Sequence, residues 1–504
     1  MVDFNNILSW LIWLPIITGC IWLWFYNKYF KKITIMVAIF NVFLSVLLLK
    51  NFDLSIYGWQ FIEHYTMLPE LGVCYSLGID GLALSLIILS SLINLIIILS
   101  DFKSDVNCGK YKAYLLILNG MFNGVLSSTN AILFYIFFEG MLFPMFLIIG
   151  SSKTSKSIYA ALKFFLYTFF GSILFLLAIM YLRRITISSG VATVKSLELT
   201  NFYLLKLDLI QQIYLFIAFF IAFGVKISLL PWHGWLPDGH VEAPTLGSIF
   251  LSGLALNIGA LAMLRFLLPI TYDACCLFNK FIIWILLMSI LYIGFITLIQ
   301  KNFKRLIAYY SIIHMTFITL GMIIGVTLIK NQELGLATIS LTGAMFQMLS
   351  HGLISTGMFF ALGVLRDRLY SCEIEKIKET IYYMPVFSGI FMVLCLAYIS
   401  LPGTSGFVGE FLIILSSFKI NFLYGVIAAI GLILSVSYIL WNYKKIMFDK
   451  FADKSIVFVD VTIEEFMILL ILIGFILFLG IYPSPILNIL NNSVVSLMQI
   501  MEHK

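Results

Sequence analysis

The fold is decided by residues 211–266, which read QQIYLFIAFFIAFGVKISLLPWHGWLPDGHVEAPTLGSIFLSGLALNIGALAMLRF. Two apolar segments flank a polar turn, and each is long enough to cross a bilayer, which takes about 20 apolar residues. The first segment contains one lysine, Lys226, in an otherwise uncharged run. An ammonium ion at the membrane centre costs at least about 2.5–3.5 kcal/mol, so Lys226 must face the protein interior or water. The stretch therefore predicts a proton or ion pathway with a carboxylate partner elsewhere in the chain.

The composition indicates a multi-pass membrane protein. Of the 504 residues, 62% are hydrophobic and 11% are charged, against roughly 25% charged residues in soluble domains. No cleavable signal or targeting sequence is recognised, so we expect the first apolar segment to be retained as a span. The net charge of +6 comes from dispersed basic residues, which argues against nucleic acid as a partner.

The chain lacks the motifs of several cofactor sites. Its seven cysteines form no C-x-x-C pair, which argues against iron–sulfur or zinc ligation by this chain alone. There is no G-x-G-x-x-G or P-loop sequence to hold a nucleotide phosphate. We therefore predict no metal and no bound cofactor in this chain, and we assign any redox or ATP chemistry to other subunits.

About fourteen segments are long and apolar enough to span a membrane, which predicts an all-α polytopic fold. The outer connection 50–80 is expected to fold against the membrane, and 183–210 forms the other long outer loop. Segment 484–500 has helix-like apolar spacing but is too short to span, so we expect it at the interface. The predicted spans are 7–25, 33–49, 81–100, 111–129, 131–150, 158–182, 211–230, 244–268, 279–299, 305–327, 338–364, 382–417, 421–443 and 463–483.

The distribution of basic residues predicts the topology. The loops after spans one, three, five, nine, eleven and thirteen contain about 19 of the 31 Lys and Arg, which places these loops inside and both termini outside. Lys226 in span seven and Glu410 in span twelve are five spans apart, so we expect two five-helix halves related by inversion. These halves are 111–268 and 279–443, and they lie between an N-terminal part, 1–110, and a C-terminal part, 444–504.

Glu139 lies near the middle of span five and is the candidate partner of Lys226. The alternative is a carboxylate that is solvated at the membrane boundary. At about 4 Å and an effective dielectric near 20, an ion pair gains about 4 kcal/mol. This exceeds the about 2.3 kcal/mol needed to move one charge through 100 mV. A movement of a few ångströms would therefore switch the lysine between holding and releasing a proton.

Glu410 is the third buried charge. It lies in span twelve after Pro402, and Lys226 lies in span seven before Pro231, so each charged residue is near a proline. Each proline removes a backbone donor, so both spans are predicted to be broken helices whose free carbonyls hold water beside a charged residue. The alternative for each proline is a packing kink.

Four other polar residues lie in or beside the spans. His314 and His351 lie in apolar sequence, and imidazole titrates near physiological pH, so each is either a proton relay or a hydrogen-bonded structural residue. Lys163 is expected to snorkel to the basic face. Asp80 is expected to cap the third span.

Several motifs resemble the antiporter-like subunits of respiratory complex I. They are AFGVKISLLPWHGWLPDGHVEAPTLGS (222–248), KRLIAYYSIIHM (304–315), FQMLSHGL (346–353) and LPGTSGFVGEF (401–411). The resemblance covers most of residues 75–485. The glutamate of GFVGEF makes this chain similar to the M-type branch of the family, whereas the sister subunits usually have lysine at that position.

The resemblance implies one proton channel in the membrane arm of a proton-pumping NADH:quinone oxidoreductase. It implies that Glu139 and Lys226 form a modulating pair, that His314 and His351 lie on a hydrated central axis, and that Glu410 stands at the second half-channel. NAD, FMN, iron–sulfur clusters and ubiquinone would then be bound by partner subunits. The expected partners are other membrane-arm subunits and lipids. The expected location is the mitochondrial inner membrane, with a bacterial cytoplasmic membrane as the alternative.

One departure from the family concerns span eight, where the family commonly has a lysine. A gap-free alignment from Ala243 to Arg265 places Asn257 there, and asparagine cannot titrate. Either water held by Asn257 and the histidines bridges the gap, or this half-channel conducts less well. Two other functions remain open, a subunit of a multisubunit cation/proton antiporter, which Glu410 disfavours, and a structural subunit that has lost pumping.

Overall fold

The structure is a computed structural model, and it describes residues 6–24, 30–100, 102, 108–369, 371–376, 378–449 and 459–502. Its regular structure is nearly all helical. The strands are β1 (Gln60–Leu68) and β2 (Val73–Ile79), and the helices are α1 (Ile7–Trp24), α2 (Phe30–Asn51), α3 (Gly81–Leu99), α4 (Cys108–Ser127), α5 (Ala131–Gly140), α6 (Leu142–Ile149), α7 (Ser155–Ser188), α8 (Leu199–Tyr203), α9 (Leu209–Ile227), α10 (Trp235–Glu242), α11 (Thr245–Phe250), α12 (Leu256–Ala262), α13 (Leu268–Ile270), α14 (Tyr272–Leu298), α15 (Phe303–Lys330), α16 (Leu334–Leu369), α17 (Thr380–Tyr383), α18 (Pro385–Tyr398), α19 (Ser405–Ile420), α20 (Phe422–Phe448), α21 (Ile463–Ile481) and α22 (Ser484–Glu502).

The predicted multi-pass helical fold is confirmed. Within the described residues, 12 helical segments are long and apolar enough to cross a membrane. The two other predicted spans correspond to α4 and to the pair formed by α18 and α19. Every predicted span is therefore helical, and the boundaries differ by a few residues because helix ends extend past the apolar run into the adjacent loops.

The seventh span is a broken helix, as predicted. Helix α9 ends at Ile227 because Ser228 adopts a left-handed conformation with a φ of 70°, a common way to end a helix. Pro231 follows this end rather than causing it. The chain then turns and re-enters as α10. The carbonyl of Val225, near the break, accepts a hydrogen bond from Trp235 Nε1 at 2.9 Å. The sequence analysis expected water to be the hydrogen-bond donor to carbonyls at this break.

The twelfth span is broken in the same manner. Between α18 and α19 the chain passes through Ser400, with a φ of 58°, and Gly403, with a φ of 94°. The carbonyl of Tyr398, the last residue of α18, accepts a hydrogen bond from the Tyr310 hydroxyl at 2.5 Å. Each break lies near a buried residue that the sequence analysis identified, Lys226 or Glu410, although Pro231, Leu401 and Pro402 within the breaks are themselves exposed.

Three segments form the centre of the molecule, Thr245–Ile270 (α11 to α13), α15 and α16, and each is buried along its apolar length. Helices that are apolar on all sides are typical of such central positions. The first segment contains two π-helical turns, Leu251–Ala255 and Met263–Leu267, which lie before and after Asn257. Turns of this kind occur frequently at functional sites.

The connection between α2 and α3 contains a β-hairpin that the sequence analysis did not predict. Strands β1 and β2 pair antiparallel, and Glu63 of β1 is buried beneath them. The Glu63 carboxylate accepts the backbone N–H groups of Leu8 at 2.9 Å and Ser9 at 3.3 Å, so it caps the start of α1. Burial raises the pKa of Glu63. The hairpin also meets the connection between α4 and α5, where Thr129 N–H donates to the Ser76 carbonyl.

The C-terminal segment forms a helix, as its apolar spacing predicted. Helix α22 lies against α3 and α16, and Ser493 Oγ accepts the backbone N–H of Leu82 at 3.0 Å. Gly81, at the start of α3, permits this contact, since a Cβ atom there would lie 2.1 Å from the carbonyl oxygen of Ile489. The segment is therefore packed on the helix bundle along one face.

We expect Gly81→Ala to loosen the docking of α22 and to cost about 1–3 kcal/mol of stability, as overpacking usually does. The measurement is the midpoint of thermal unfolding in detergent. The matched control is Gly474→Ala, because a Cβ atom at Gly474 would meet no atom within 4 Å. Equal midpoints for the two variants would contradict the close packing of α22 on α3.

Candidate functional site

The structure brings Lys226 and Glu139 into the same region without a direct ion pair. Lys226 is only 7% exposed, and its Nζ lies 4.7 Å from the centre of the Phe138 ring on α5. Glu139 is the next residue on α5, is half-buried, and is close enough for its charge to act on Lys226. Among the described residues, no carboxylate oxygen lies within 4.0 Å of Lys226 Nζ. The pair is thus separated enough for a small movement to change its coupling.

Lys226 also borders a small internal cavity. The cavity has a volume of about 10 Å³ and is lined by Met141, Trp235, Leu251 and other apolar residues. A volume of this size holds about one water molecule. Lys226 therefore borders both an aromatic ring and a water-sized space whose other lining residues are apolar.

Glu410, His314 and Gln347 form the most tightly connected polar cluster of the interior. His314 Nδ1 lies 2.6 Å from Glu410 Oε1, and Gln347 Nε2 lies 3.0 Å from the same oxygen. Gln347 Nε2 is also 3.1 Å from His314 Nδ1. Glu410 and His314 are each about 1% exposed. Three helices, α15, α16 and α19, contribute one residue each.

The hydrogen atoms of this cluster have two consistent arrangements. If His314 Nδ1 carries a hydrogen, it donates to Glu410, and Gln347 can donate only to the carboxylate. If Nδ1 is bare, it accepts either from Gln347 or from a protonated Glu410. A histidine and a carboxyl group each have both forms available, so a proton can reside on either partner without any rearrangement of heavy atoms.

His351 continues the polar path towards the middle of the fold. Its ring centre is 5.5 Å from that of His314, and it is 1% exposed. Neither ring nitrogen of His351 has a hydrogen-bond partner among the described residues. Buried polar atoms are normally paired with protein or with water, so this histidine is placed to bind water between its neighbours.

His240 is a buried polar residue that the sequence analysis did not single out. It lies on α10 with 0% exposure, and its ring stacks on Phe359 at 4.7 Å. Both of its nitrogens lack a partner among the described residues, and its charge would act on His351 and on Lys304. The sequence placed it in a polar turn, and only the re-entry of the chain after the break buries it.

Asn257 is fully buried where the family commonly has lysine. Its Nδ2 donates to the carbonyls of Gly253 at 3.2 Å and Met348 at 3.1 Å, so it connects α12 with α16, the helix that carries His351. Its Oδ1 has no partner among the described residues. The amide therefore presents one free acceptor to the interior, and an acceptor of this kind can hold water but cannot carry the proton itself.

Two aspartates, Asp238 and Asp80, form three ion pairs with residues of other segments. Asp238 accepts from Lys163 Nζ at 2.7 Å and from Arg305 Nη2 at 2.6 Å, so Lys163 is paired, whereas the sequence analysis expected it only to snorkel. Asp80 caps α3 by accepting the Ala83 N–H, as predicted, and it also accepts from Arg265 Nη2 at 3.0 Å. Both arrangements join helices that lie far apart in sequence.

Residues 128–435 match the family described as "NADH:quinone oxidoreductase/Mrp antiporter, TM". The chain is 38% identical over 502 residues to NADH-quinone oxidoreductase subunit M of Rickettsia prowazekii, with 98% of each chain covered. It is 36% identical over 505 residues to NADH-ubiquinone oxidoreductase chain 4 of Marchantia polymorpha, covering 99% of this chain and 98% of that one.

Two solved structures share the fold. One is a chain of respiratory complex I from Thermus thermophilus with bound NADH, with a TM-score of 0.86, 23% identity, and coverage of 98% of this chain and 99% of that one. The other is a chain of the Mrp complex from Dietzia sp. DQ12-45-1b, with a TM-score of 0.84, 14% identity and full coverage of both chains. At these identities, both similarities concern the fold alone.

Gly409→Ala tests the geometry of the Glu410 cluster. A Cβ atom at Gly409 would lie 2.5 Å from Gln347 Oε1, so the glutamine must move and its hydrogen bond to Glu410 should be lost. Such a bond to a charged group is worth about 1.5–3 kcal/mol. We expect a shift of the Glu410 carboxyl band in infrared difference spectra, with the band assigned by its disappearance in Glu410→Gln.

The control for this experiment is Gly389→Ala, because a Cβ atom at Gly389 would meet nothing within 4 Å. An unshifted carboxyl band in Gly409→Ala, identical to that of the control, would contradict the contact between Gln347 and Glu410.

Proposed function

The chain belongs to the NADH:quinone oxidoreductase/Mrp antiporter family of membrane subunits, and from this premise we propose its function. It is a proton-translocating subunit of the membrane arm of complex I, in which electron transfer from NADH to quinone in other subunits drives protons through this chain. Full-length similarity to proteins named subunit M and chain 4 supports this assignment. The chain is one part of a translocase and contributes no redox step of its own.

The observation that carries the proposal is the buried cluster of Glu410, His314 and Gln347 beside the broken twelfth span. A carboxylate that is about 1% exposed in a membrane-spanning fold is stable only with partners. Here the partner is an imidazole that can take its proton. The cluster therefore stores one proton at a position where a change of hydration or of nearby charge decides whether the proton is kept.

We propose that the interaction between Lys226 and Glu139 controls proton transfer through the chain. Their charges interact but are not in contact, so the interaction is sensitive to distance. Closing the separation to about 4 Å at an effective dielectric near 20 would stabilise the charged lysine by about 4 kcal/mol. That free energy is larger than the about 2.3 kcal/mol needed to move one charge through 100 mV, and it is therefore sufficient to drive proton uptake and release.

Water completes the path between the two charged sites. The free acceptor of Asn257 and the nitrogens of His240 and His351 line the interior without protein partners among the described residues. Each buried water usually makes about three hydrogen bonds to such groups. We propose that water bound by these residues takes the place of the lysine that the family commonly has at position 257.

The remaining assignments follow from the proposed function. NAD, FMN, iron–sulfur clusters and ubiquinone are bound by partner subunits, and this chain contacts neighbouring antiporter-like subunits and lipids. The two inverted halves are 111–268 and 279–443. The location is the mitochondrial inner membrane, with a bacterial cytoplasmic membrane as the alternative, and both termini lie on the outer side, as the basic loops predict.

A subunit of a multisubunit cation/proton antiporter is the second candidate function. The fold similarity to a chain of the Mrp complex favours it. Glutamate at position 410 and the full-length similarity to NADH-quinone oxidoreductase subunits weigh against it. An assembly that contains this chain, lacks redox centres and exchanges sodium for protons would establish the antiporter function.

The first test replaces Glu410 with glutamine in the assembled complex. We expect NADH-to-quinone electron transfer to continue and the proton-to-electron ratio to fall by one channel's share, because the amide cannot take up the proton. The measurement is proton release per electron in sealed vesicles. The matched control is Glu333→Gln, an exposed glutamate before α16, and an unchanged ratio in Glu410→Gln would reject the role of this site.

The second test is Asn257→Leu, which removes the proposed water-binding amide while keeping a side chain of similar size. We expect the same loss of proton-to-electron ratio as for Glu410→Gln. The control is Asn442→Leu, since Asn442 is also buried but donates only to a carbonyl of its own helix. A normal ratio in Asn257→Leu, with full electron transfer, would mean that protons do not pass this residue.

A further inference from the structure

The β-hairpin brings three metal-binding side chains together. They are His64 on β1, Cys74 on β2 and Glu198, which precedes α8. One donor atom from each residue lies within 4.8 Å of the others, and His64 Nε2 is 3.8 Å from Glu198 Oε1. Among the described residues, this is the one cluster of three such donors within that distance.

The pairing of the strands explains why His64 and Cys74 meet. His64 is paired with Ser76, and Thr66 is paired with Cys74. Side chains two residues apart on a strand point to the same face, so His64 and Cys74 form a diagonal pair on one face of the hairpin. The neighbouring Glu63 points to the opposite face, where it caps α1.

Glu198 is held in place by residues of other segments. Asn130 Nδ2 lies 3.5 Å from its Oε1, and Ser76 Oγ lies 3.3 Å from its Oε2. Asn130 is itself the residue that caps α5. Hydrogen bonds of this kind orient the ligands of metal sites and tune their affinity. The carboxylate is 13% exposed, so its position is fixed before any ligand arrives.

The cysteine spacing predicted no metal in this chain, but the fold brings together donors from distant parts of the sequence. We propose that His64, Cys74 and Glu198 bind a borderline divalent cation of the Zn²⁺ type at the outer face of this subunit. Imidazole nitrogen, thiolate sulfur and carboxylate oxygen are the three donor types that zinc uses in proteins. Bonds of about 2.0–2.3 Å in tetrahedral geometry place donor atoms roughly 3.3–3.8 Å apart. An imidazole nitrogen and a carboxylate oxygen on one zinc ion lie about 3.3–3.5 Å apart, so the 3.8 Å between His64 and Glu198 has to shorten by a few tenths of an ångström, and three protein ligands leave a fourth position open.

The site is open to the cation from one side. His64 is 42% exposed at its side chain, whereas Cys74 is fully buried, so a cation would enter past the imidazole and end at the sulfur. The thiol now donates to the Val194 carbonyl at 3.4 Å, and coordination would replace that weak bond. Lys195 also acts on Glu198 and opposes a bound cation from the solvent side.

Burial raises the pKa of Cys74, and the charge of Glu198 raises it further. Burial likewise raises the pKa of Glu198. Both groups must be deprotonated to bind a metal, so a cation must displace the proton of each group that holds one.

The test is equilibrium dialysis of Zn²⁺ against the intact, chelator-treated assembly, compared between assemblies that differ in one residue. We expect the unaltered assembly to bind one Zn²⁺ more than Cys74→Ser. We also expect His64→Ala to weaken that binding at least about tenfold, because even residues outside the coordination shell typically contribute 10–100-fold. Cys20→Ser is the control, since Cys20 lies away from the hairpin on α1, and it should bind as the unaltered assembly does.

His64→Ala is included because Cys74→Ser could lose zinc by misfolding. His64 is exposed, so its replacement leaves the buried face of the hairpin intact. In the unaltered assembly, Zn²⁺ should also protect Cys74 from a thiol reagent, and a chelator should remove that protection. Equal Zn²⁺ binding by the unaltered assembly and Cys74→Ser would overturn the proposal, as would competition by Mg²⁺ equal to that by Zn²⁺. Neither readout depends on proton transport, so the result is independent of the proposed function.

Discussion

A buried polar group in this fold needs a partner in the protein or in bound water, because lipid offers none. The rest of the architecture depends on this constraint. The segments that lie in the centre, Thr245–Ile270, α15 and α16, are enclosed on all sides, and they carry Asn257, His314 and His351. The surrounding helices present apolar side chains outward, as the exposed Phe and Leu residues of α7 and α21 do. A polar interior is thus stable because a ring of apolar helices separates it from lipid.

The same constraint explains the form of the two helix breaks. A break frees carbonyl groups, and in each case a large aromatic side chain donates to one of them: Trp235 to Val225, and Tyr310 to Tyr398. At each break at least one carbonyl is therefore paired, and Lys226 lies in the last turn of α9 while Glu410 is the sixth residue of α19. The ring of Tyr310 also packs on the ring of His314, with 4.4 Å between their centres. One residue therefore contacts both the broken backbone and the buried histidine.

The sequence was sufficient to predict the spans, both breaks, and the burial of Lys226 and Glu410, because each depends on local apolar length or on a single misplaced charge. The contact between His314 and Glu410 joins α15 with α19, and no local pattern indicates such a contact. His240 was missed because a polar turn reads as solvated until the chain re-enters the fold. The hairpin was missed because β1 is mostly exposed while β2 is almost wholly buried, so neither strand shows a regular alternation of polar and apolar residues. The two π-helical turns have no composition that differs from that of an ordinary helix.

The π-helical turn Leu251–Ala255 has a consequence for how this chain tolerates changes in length. Such a turn accommodates one residue more than an α-helix would. A one-residue deletion there would restore regular α-helix and leave α11 and α12 close to their present register, whereas a one-residue deletion elsewhere in the segment would rotate the parts on either side of it by about 100°. Because the whole segment is enclosed, the rotation would drive side chains of one flank into neighbouring helices or swing Asn257 off Met348. The register of the central segment is therefore set by residue number as much as by residue type, and within this segment a change of length is tolerable only where a π-helical turn absorbs it.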